Sequence, residues 1–259
     1  MKSKLPADSN DRGLNALDGR VVVVSPHLDD AIMSLGSTIA YAAGAGAKIE
    51  VVTVFTDVAS SDAPASPWDR QCGFLTEGQA ANARREEDSQ ACSIVGAEPR
   101  WLNFGSECYE RRGSEDDIWC AVTAAICGAD TVLIPGFPLA HSDHAYLTNL
   151  LLCKGLNRQR VGLYVEQPYP SELNKAPDSS PVAPALKQII KGSLPWSRIR
   201  TSRTYRRTKA RAVRSYRSQL FHLQLRGLGL RRMLWREAVQ GGEAIAWLPS
   251  FANSIEGFE

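Results

Sequence analysis

Apolar runs and amphipathic segments alternate along the first two-thirds of the chain. Residues 21–24 are four β-branched residues in a row, which is typical of a strand buried on both faces of a parallel sheet. Residues 31–44 follow with apolar positions at helical spacing. The same alternation predicts further strands at 49–55, 100–104, 131–134 and 161–166, and further helices at 79–95, 116–127 and 144–155.

This regular alternation predicts an α/β fold. Strands that alternate with helices form a Rossmann-like, doubly wound, mostly parallel sheet with helices on both faces. Ligands of such sheets bind at the carboxyl ends of the strands. The loop at 57–77 is long enough to be functional.

The alternation stops after Pro168, where prolines mark loops. A short strand beginning at Ile199 and a basic helix at 205–224 are predicted beyond it. We therefore expect a flexible segment at 1–18, an α/β catalytic core at 19–170, and a basic C-terminal extension at 171–259 that packs on the core and caps the site.

The charge of the chain is segregated. The 259 residues carry 30 Lys and Arg against 28 Asp and Glu, a net charge of +2. Residues 179–236 hold 15 of the basic residues and no acidic residue, so the remainder carries a charge of −13. Three causes of this pattern stay open: packing against the acidic core, an anionic substrate, or an anionic membrane surface. Nucleic acid is not expected, because no nucleic-acid-binding motif is visible.

The hydropathy of the chain, its first residues and its cysteines favour a reduced, cytoplasmic protein. The sequence contains no apolar stretch of 18 residues and begins without the apolar core of a secretory signal. None of its six cysteines forms a C-x-x-C pair, so we expect free thiols and a cytoplasmic location. The oligomeric state stays open.

Three of the four histidines follow predicted strands. The segment H-L-D-D (residues 27–30) comes directly after the first strand, and H-S-D-H (residues 141–144) comes one loop after the fourth. Both loops lie on the carboxyl edge of the predicted sheet, where they can converge. Two histidines and one aspartate would make a divalent-metal site with an open position for water, leaving carboxylates and an imidazole for acid–base chemistry. Aspartates at helix starts are also common capping residues.

These segments resemble the LmbE-like, or PIG-L, zinc-dependent de-N-acetylases. S-P-H-L-D-D (25–30) is similar to that family's A-H-P-D-D-E, and H-S-D-H to its H-P-D-H. R-E-E (85–87), Y-V-E (164–166) and 209–219 resemble the family's R-x-E helix, fifth-strand Y-E and C-terminal K-x-x-A…S-Q segments. The resemblance runs from 21 to 219. Residues 72–74, 84–88 and 107–109 look most like the branch that trims N-acylglucosamine on glycopeptide natural products.

The resemblance implies a role for each matching residue. His27, Asp30 and His144 would bind the metal. Asp29 would be the general base, and His141 would stabilise the oxyanion and protonate the leaving amine. Asp143 would orient His141 by a hydrogen bond. The residues implied for substrate binding are Arg85, Glu107 and Glu166.

The sequence departs from the family pattern at several positions. Leu28 and Ala31 replace the family's Pro and Glu, and neither is a ligand position. Glu107 is our substitute for an Asp that reads the sugar and is missing after Phe104-Gly105. Trp68 could line the site or serve as an ordinary apolar anchor.

The resulting hypothesis is a metal-dependent hydrolase that removes an N-acyl group, most simply acetyl, from an amino sugar. Its substrate would be a small molecule or glycoconjugate, as in antibiotic biosynthesis. The cofactor would be Zn²⁺, although His and Asp ligands also accept Fe²⁺. Two alternatives remain: a basic-tailed binding module with a structural or vestigial metal site, and a phospho-acceptor receiver domain. The receiver domain would leave both histidine segments unexplained.

Overall fold

A computed structural model describes residues 17–109, 113–156, 159–169 and 196–249. The elements in these ranges are, in chain order, β1 (Arg20–Ser25), α1 (Asp30–Gly44), β2 (Lys48–Phe55), α2 (Pro67–Gln71), α3 (Glu77–Val95), β3 (Ala97–Phe104), α4 (Glu115–Ile126), β4 (Thr131–Phe137), α5 (Ser142–Lys154), β5 (Arg160–Val165), β6 (Trp196–Ile199), α6 (Arg203–Val213), α7 (Arg217–Leu220), α8 (Leu228–Val239) and β7 (Glu243–Trp247).

The strands form one seven-stranded sheet in the order β3-β2-β1-β4-β5-β7-β6. The first five strands of the chain are parallel, whereas β7 pairs antiparallel with both β5 and β6. This arrangement confirms the predicted doubly wound, mostly parallel α/β class. The strand order reverses between β1 and β4, so a crevice opens there at the carboxyl edge.

The valine run of β1 shows why the sheet is buried on both faces. Val21 and Val23 pack into the apolar cluster that includes residues of α1, α3 and α6. Val22 and Val24 point the other way, into the cluster that includes residues of α4 and α5. All four are at most 1% exposed, and burying one such side chain contributes about 1.5–3 kcal/mol. The alternation of side chains along the strand thus anchors a helical layer on each face.

The C-terminal part departs from the predicted elements in two ways. The expected basic helix at 205–224 is two helices, α6 and α7, separated at Arg214–Tyr216. Ala212, Val213 and Tyr216 are completely buried, so this part of the chain packs into the core and is not one continuous exposed basic helix. The weakly patterned segment after residue 241 contributes β7, and the strand placed at Ile199 ends there instead of beginning.

A buried ionic cluster ties the basic stretch to α1. The ammonium of Lys209 lies 2.6 Å from a carboxylate oxygen of Glu237 and 2.7 Å from one of Glu243. Glu243 also accepts hydrogen bonds from the backbone N–H groups of Ser37 and Thr38 in α1. These contacts join α1, α6, α8 and β7, and α1 carries the aspartates of the first histidine segment at its start.

Some expectations concern residues outside the described ranges. Most of the predicted flexible segment at 1–18 lies there, as do residues 170–195 at the start of the predicted C-terminal extension.

No helix in the described ranges combines the length and apolar character needed to cross a membrane. All six cysteines are unpaired thiols.

Candidate active site

The two histidine segments meet at the carboxyl edge of the sheet. The loop after β1 carries His27 and leads into α1, and the loop after β4 carries His141, which caps the start of α5. Because β1 and β4 are neighbours, the two loops face each other across the crevice. The pocket between them is lined by residues of both loops, of the long segment after β2, of α3 and of the segment around α7. They include His27, Asp29, Asp30, Asp57, Ser66, Trp68, Asp69, Arg84, His141, Gln219 and Leu223.

Three donor atoms in this pocket form a compact triangle. Nδ1 of His27 lies 3.3 Å from Oδ2 of Asp30, and Nε2 of His144 lies 3.1 Å from the same oxygen. The two histidine nitrogens are themselves 3.1 Å apart. Two loops that are more than a hundred residues apart in the chain thus bring two imidazoles and one carboxylate together.

The triangle has the dimensions of a metal site. Ligands about 2.0–2.1 Å from a tetrahedral Zn²⁺ are separated by about 3.3–3.4 Å, close to the distances among these three atoms. His141 offers a second arrangement, because His27, His141 and His144 each have a nitrogen within 4.8 Å of the others. The triangle with Asp30 is tighter, and three ligands with an open position are typical of catalytic zinc.

Each histidine of the triangle contacts a buried carboxylate through its other ring nitrogen. Nε2 of His27 lies 3.1 Å from Oδ2 of Asp143, and Nδ1 of His144 contacts Oε1 of Glu166. Asp143, His144 and Glu166 are fully buried. Carboxylates in this position fix the tautomer and ring orientation of metal-binding histidines and raise their basicity.

Asp143 therefore has a different partner from the one predicted. Its carboxylate lies 3.9 Å from Nδ1 of His141, too far for a hydrogen bond. The backbone N–H of Asp143 makes that contact instead, 3.2 Å from the same nitrogen. Since Nδ1 of His141 accepts this bond, the neutral ring carries its proton on Nε2.

The electrostatics of the cluster favour positive charge. Burial opposes protonation of His27, but the carboxylates of Asp143 and Asp30 outweigh it and raise its pKa to about 9. Burial likewise disfavours the charged form of Asp30, but His144 and His27 hold its pKa well below the usual range. A metal cation bound here would compete with protons for the same atoms.

The other two acid–base residues lie at the pocket surface. Burial, followed by the charge of Asp30, raises the pKa of Asp29 well above its usual value. Among the described residues, no donor hydrogen-bonds the Asp29 carboxylate. Burial, and then the nearby His27 and His144, lower the pKa of His141. Asp29 and His141 both line the pocket, so both can reach a bound ligand.

Arg84, rather than the predicted Arg85, faces the pocket. Arg85 donates hydrogen bonds to Thr56, Asn103 and the carbonyl of Asp57, and so ties α3 to the ends of β2 and β3. The guanidinium of Arg84 contacts the buried carboxylate of Asp69 and lies among the residues that line the pocket. Successive helical residues point about 100° apart, so only one of the two can face the ligand.

The remaining predicted substrate residues are placed differently. Glu166 is buried behind His144 and accepts a hydrogen bond from the N–H of Leu139, so its carboxylate is not available to a ligand. Glu107 is exposed, and its backbone N–H donates to Asp143 over 2.8 Å. Its carboxylate lies within 4.8 Å of donor atoms of His141 and Asp143, at the edge of the site. Trp68 lines the pocket.

A doubly wound sheet with a His/Asp/His triangle beside an open pocket defines a class of α/β proteins that act on a small ligand at the carboxyl edge of the sheet. The family model described as GlcNAc-PI de-N-acetylase, or PIG-L, matches residues 22–152, and these residues include both histidine segments. The chain belongs to this family.

Known relatives agree with that assignment. The chain is 30% identical over 226 residues to the 2'-N-acetylparomamine deacetylase of Streptomyces fradiae, covering 78% of this chain and 74% of the relative. It is similar to the solved A40926 pseudoaglycone deacetylase, with 27% identity, a TM-score of 0.68 and coverage of 89% and 96% of the two chains. A deacetylase of the teicoplanin biosynthesis pathway shares the fold, with 22% identity, a TM-score of 0.71 and coverage of 90% and 99%.

Proposed function

We propose that this protein hydrolyses the N-acetyl amide of an amino sugar carried by a small-molecule natural product or related glycoconjugate. The triangle of His27, Asp30 and His144 beside Asp29 and His141 is the observation that carries the proposal. Family membership supports N-deacetylation, and the names of two relatives point to sugars of antibiotics.

His27, Asp30 and His144 would hold a divalent metal, with zinc as the first candidate. Ferrous iron accepts the same nitrogen and oxygen ligands. When bound, such a metal polarises the acyl oxygen and lowers the pKa of a coordinated water. Asp143 and Glu166 are positioning residues in this scheme, because they touch the histidines and not the substrate.

Asp29 would act as the general base. It lines the pocket next to Asp30, and its carboxylate has no hydrogen-bond donor among the described residues, so it can accept a proton from the attacking water. The water oxygen adds to the carbonyl carbon of the acetamide, and the proton passes to the carboxylate of Asp29.

His141 would stabilise the negative charge that develops on the acyl oxygen. The N–H of Asp143 donates to Nδ1 of His141, so the neutral ring carries its proton on Nε2, and His141 lines the pocket. That proton can stabilise negative charge on the acyl oxygen. The amide C–N bond then breaks as the proton that Asp29 took from the water passes to the leaving nitrogen, and the products are acetate and a free amino sugar.

Arg84 and Asp57 are the charged residues best placed to bind the sugar hydroxyl groups, and Glu107 remains a candidate at the edge of the site. Trp68 and Leu223 offer an apolar wall for the rest of the substrate. These residues take the place of Arg85 and Glu166, whose charged groups are already engaged by neighbouring protein residues.

Metal analysis coupled to acetate release tests the proposal. The purified protein is assayed on N-acetylglucosamine conjugates and N-acetylated aminoglycosides before chelation, after chelation and after zinc or ferrous iron is restored. We expect about one metal per chain and activity that is lost and regained with it. A metal-bearing protein that releases no acetate from any amino sugar would instead support a binding module with a structural metal. A protein without a stoichiometric metal would contradict the assigned ligands.

A further inference from the structure

Helix α8 exposes an apolar stripe where a surface helix would normally be polar. Its inward face buries Leu230 and Met233. Its outward face carries three large apolar side chains, namely Leu228 at 74% exposure, Trp235 at 64% and Val239 at 64%. At about 100° per residue these three positions fall within an arc of about 40°. They therefore form one continuous stripe along the outer side of the helix.

Arginines border this stripe on both sides. Arg231 lies on one side and Arg232 on the other, and both are exposed. At the start of α8, Arg214, Arg226 and Arg231 line a groove together with leucines. An apolar stripe flanked by cations, with tryptophan among its apolar residues, is the composition of a helix that lies in a membrane interface.

The surroundings of α8 carry the same charge. Further exposed arginines on or near α6 and α7 are Arg203, Arg207, Arg211 and Arg217. Within the described ranges, none of the exposed arginines in this region pairs with a carboxylate. Lys209, which is buried, is by contrast neutralised by two carboxylates. The acidic core thus leaves most of this positive charge facing outward.

We propose that the outer face of α8, defined by Leu228, Arg231, Arg232, Trp235 and Val239, docks this protein on an anionic phospholipid bilayer. Arginines attract the negative surface of such a membrane, and the tryptophan and aliphatic side chains insert at headgroup depth. A second copy of the chain fits less well, because a two-fold contact would place the same arginines against each other. The proposal does not depend on the metal or on deacetylation.

Sedimentation with lipid vesicles tests this docking. The full chain is spun with vesicles of phosphatidylcholine alone and with vesicles containing 30% phosphatidylglycerol, at low and at high salt. We expect binding to the anionic vesicles only, weakening as salt screens the arginines. Equal binding to both kinds of vesicle, or no binding to either, would overturn the proposal.

Paired variants assign the binding to α8. Replacing Arg231 and Arg232 by Gln should lower partitioning onto anionic vesicles by about 30-fold, from the usual contribution of basic residues near such surfaces. Trp235→Ser should lower it several-fold at unchanged charge. The control K48Q/K154Q removes two cations from other elements and should bind like the unaltered protein. Circular dichroism and melting temperature confirm that each variant folds.

Two results would point to another occupant and contradict the proposal. One is a mass that doubles with protein concentration and returns to the monomer value in the Trp235→Ser variant, which would identify a second copy of the chain. The other is binding to duplex DNA that is stronger than binding to vesicles and insensitive to Trp235→Ser.

Discussion

The carboxylate of Asp143 lies 3.1 Å from Nε2 of His27, although 116 residues separate them in the chain. This contact joins the loop after β4 to the loop after β1. It also faces His27 from the side opposite Nδ1, the nitrogen of the proposed metal triangle. Asp143 can therefore influence a metal bound in the proposed triangle through His27, in addition to placing His141 through its backbone N–H.

Asp143→Asn should weaken metal binding. The amide cannot provide the negative charge that increases the basicity of His27, so we expect the zinc dissociation constant to rise by about 10–100-fold. Competition with a chromophoric chelator measures this constant. If Asp143 acted only on His141, the variant would instead lose turnover at unchanged zinc affinity. Glu98→Gln, an exposed carboxylate on β3, is the control and should bind zinc normally.

The neighbouring arginines Arg84 and Arg85 should behave differently when replaced. Arg84→Lys keeps the charge beside Asp69 but loses the planar fork of the guanidinium, so we expect KM to rise about tenfold with a smaller change in kcat. Arg85→Gln removes hydrogen bonds to Thr56, Asp57 and Asn103 and should lower the free energy of unfolding by about 1–3 kcal/mol. Steady-state kinetics and urea titration of both variants separate the two effects. The reverse pattern would place Arg85 at the substrate.

Lys209 should be essential for stability. Lys209→Met leaves the carboxylates of Glu237 and Glu243 buried without a counter-charge, which should lower the free energy of unfolding by about 3–5 kcal/mol. Adding Glu237→Leu should recover part of the loss, because it removes one of those charges. Arg207→Met, on the exposed side of α6, is the control and should change stability by less than about 0.5 kcal/mol. Urea unfolding measures all three, and equal stability of Lys209→Met and Arg207→Met would contradict the assigned cluster.

Asp88 should make stability depend on pH. Burial raises its pKa to about 6, although Trp101 and Tyr216 donate hydrogen bonds to it. Between the usual value of about 3.9 and this raised value, the folded state binds more protons than the unfolded state, so stability falls as pH rises. Relative to Asp88→Asn, the unaltered protein should lose about 2 kcal/mol between pH 4 and pH 7. Chemical unfolding of both proteins across this pH range measures the difference in their free energies of unfolding. A difference that does not change with pH would contradict the raised pKa.

The meeting of the two histidine segments could be predicted from sequence because it depends on topology alone. Alternating strands and helices place every loop that follows a strand on one edge, so His27 and His144 had to share that edge wherever the side chains pointed. The strand order then makes β1 and β4 neighbours, which brings the segments into contact.

Side-chain direction could not be predicted in the same way. Arg84 and Arg85 are adjacent cations on a polar helix, so the hydrophobic pattern does not fix which one faces the pocket. The family resemblance implies that Asp143 orients His141, yet the turn into α5 directs the carboxylate towards His27. The antiparallel pairing of β7 with β5 was also missed, because a five-residue apolar strand carries no signal of its partner.

Turnover by Asp29→Asn tests the central proposal most directly. The substitution keeps the size of the side chain, and Asp29 is not a ligand in the proposed triangle. With the metal content shown to match that of the unaltered protein, we predict that acetate release falls by about 10²–10⁴-fold, the usual contribution of a general base. Acetate release at the normal rate from a variant with its full metal content would contradict the proposed mechanism.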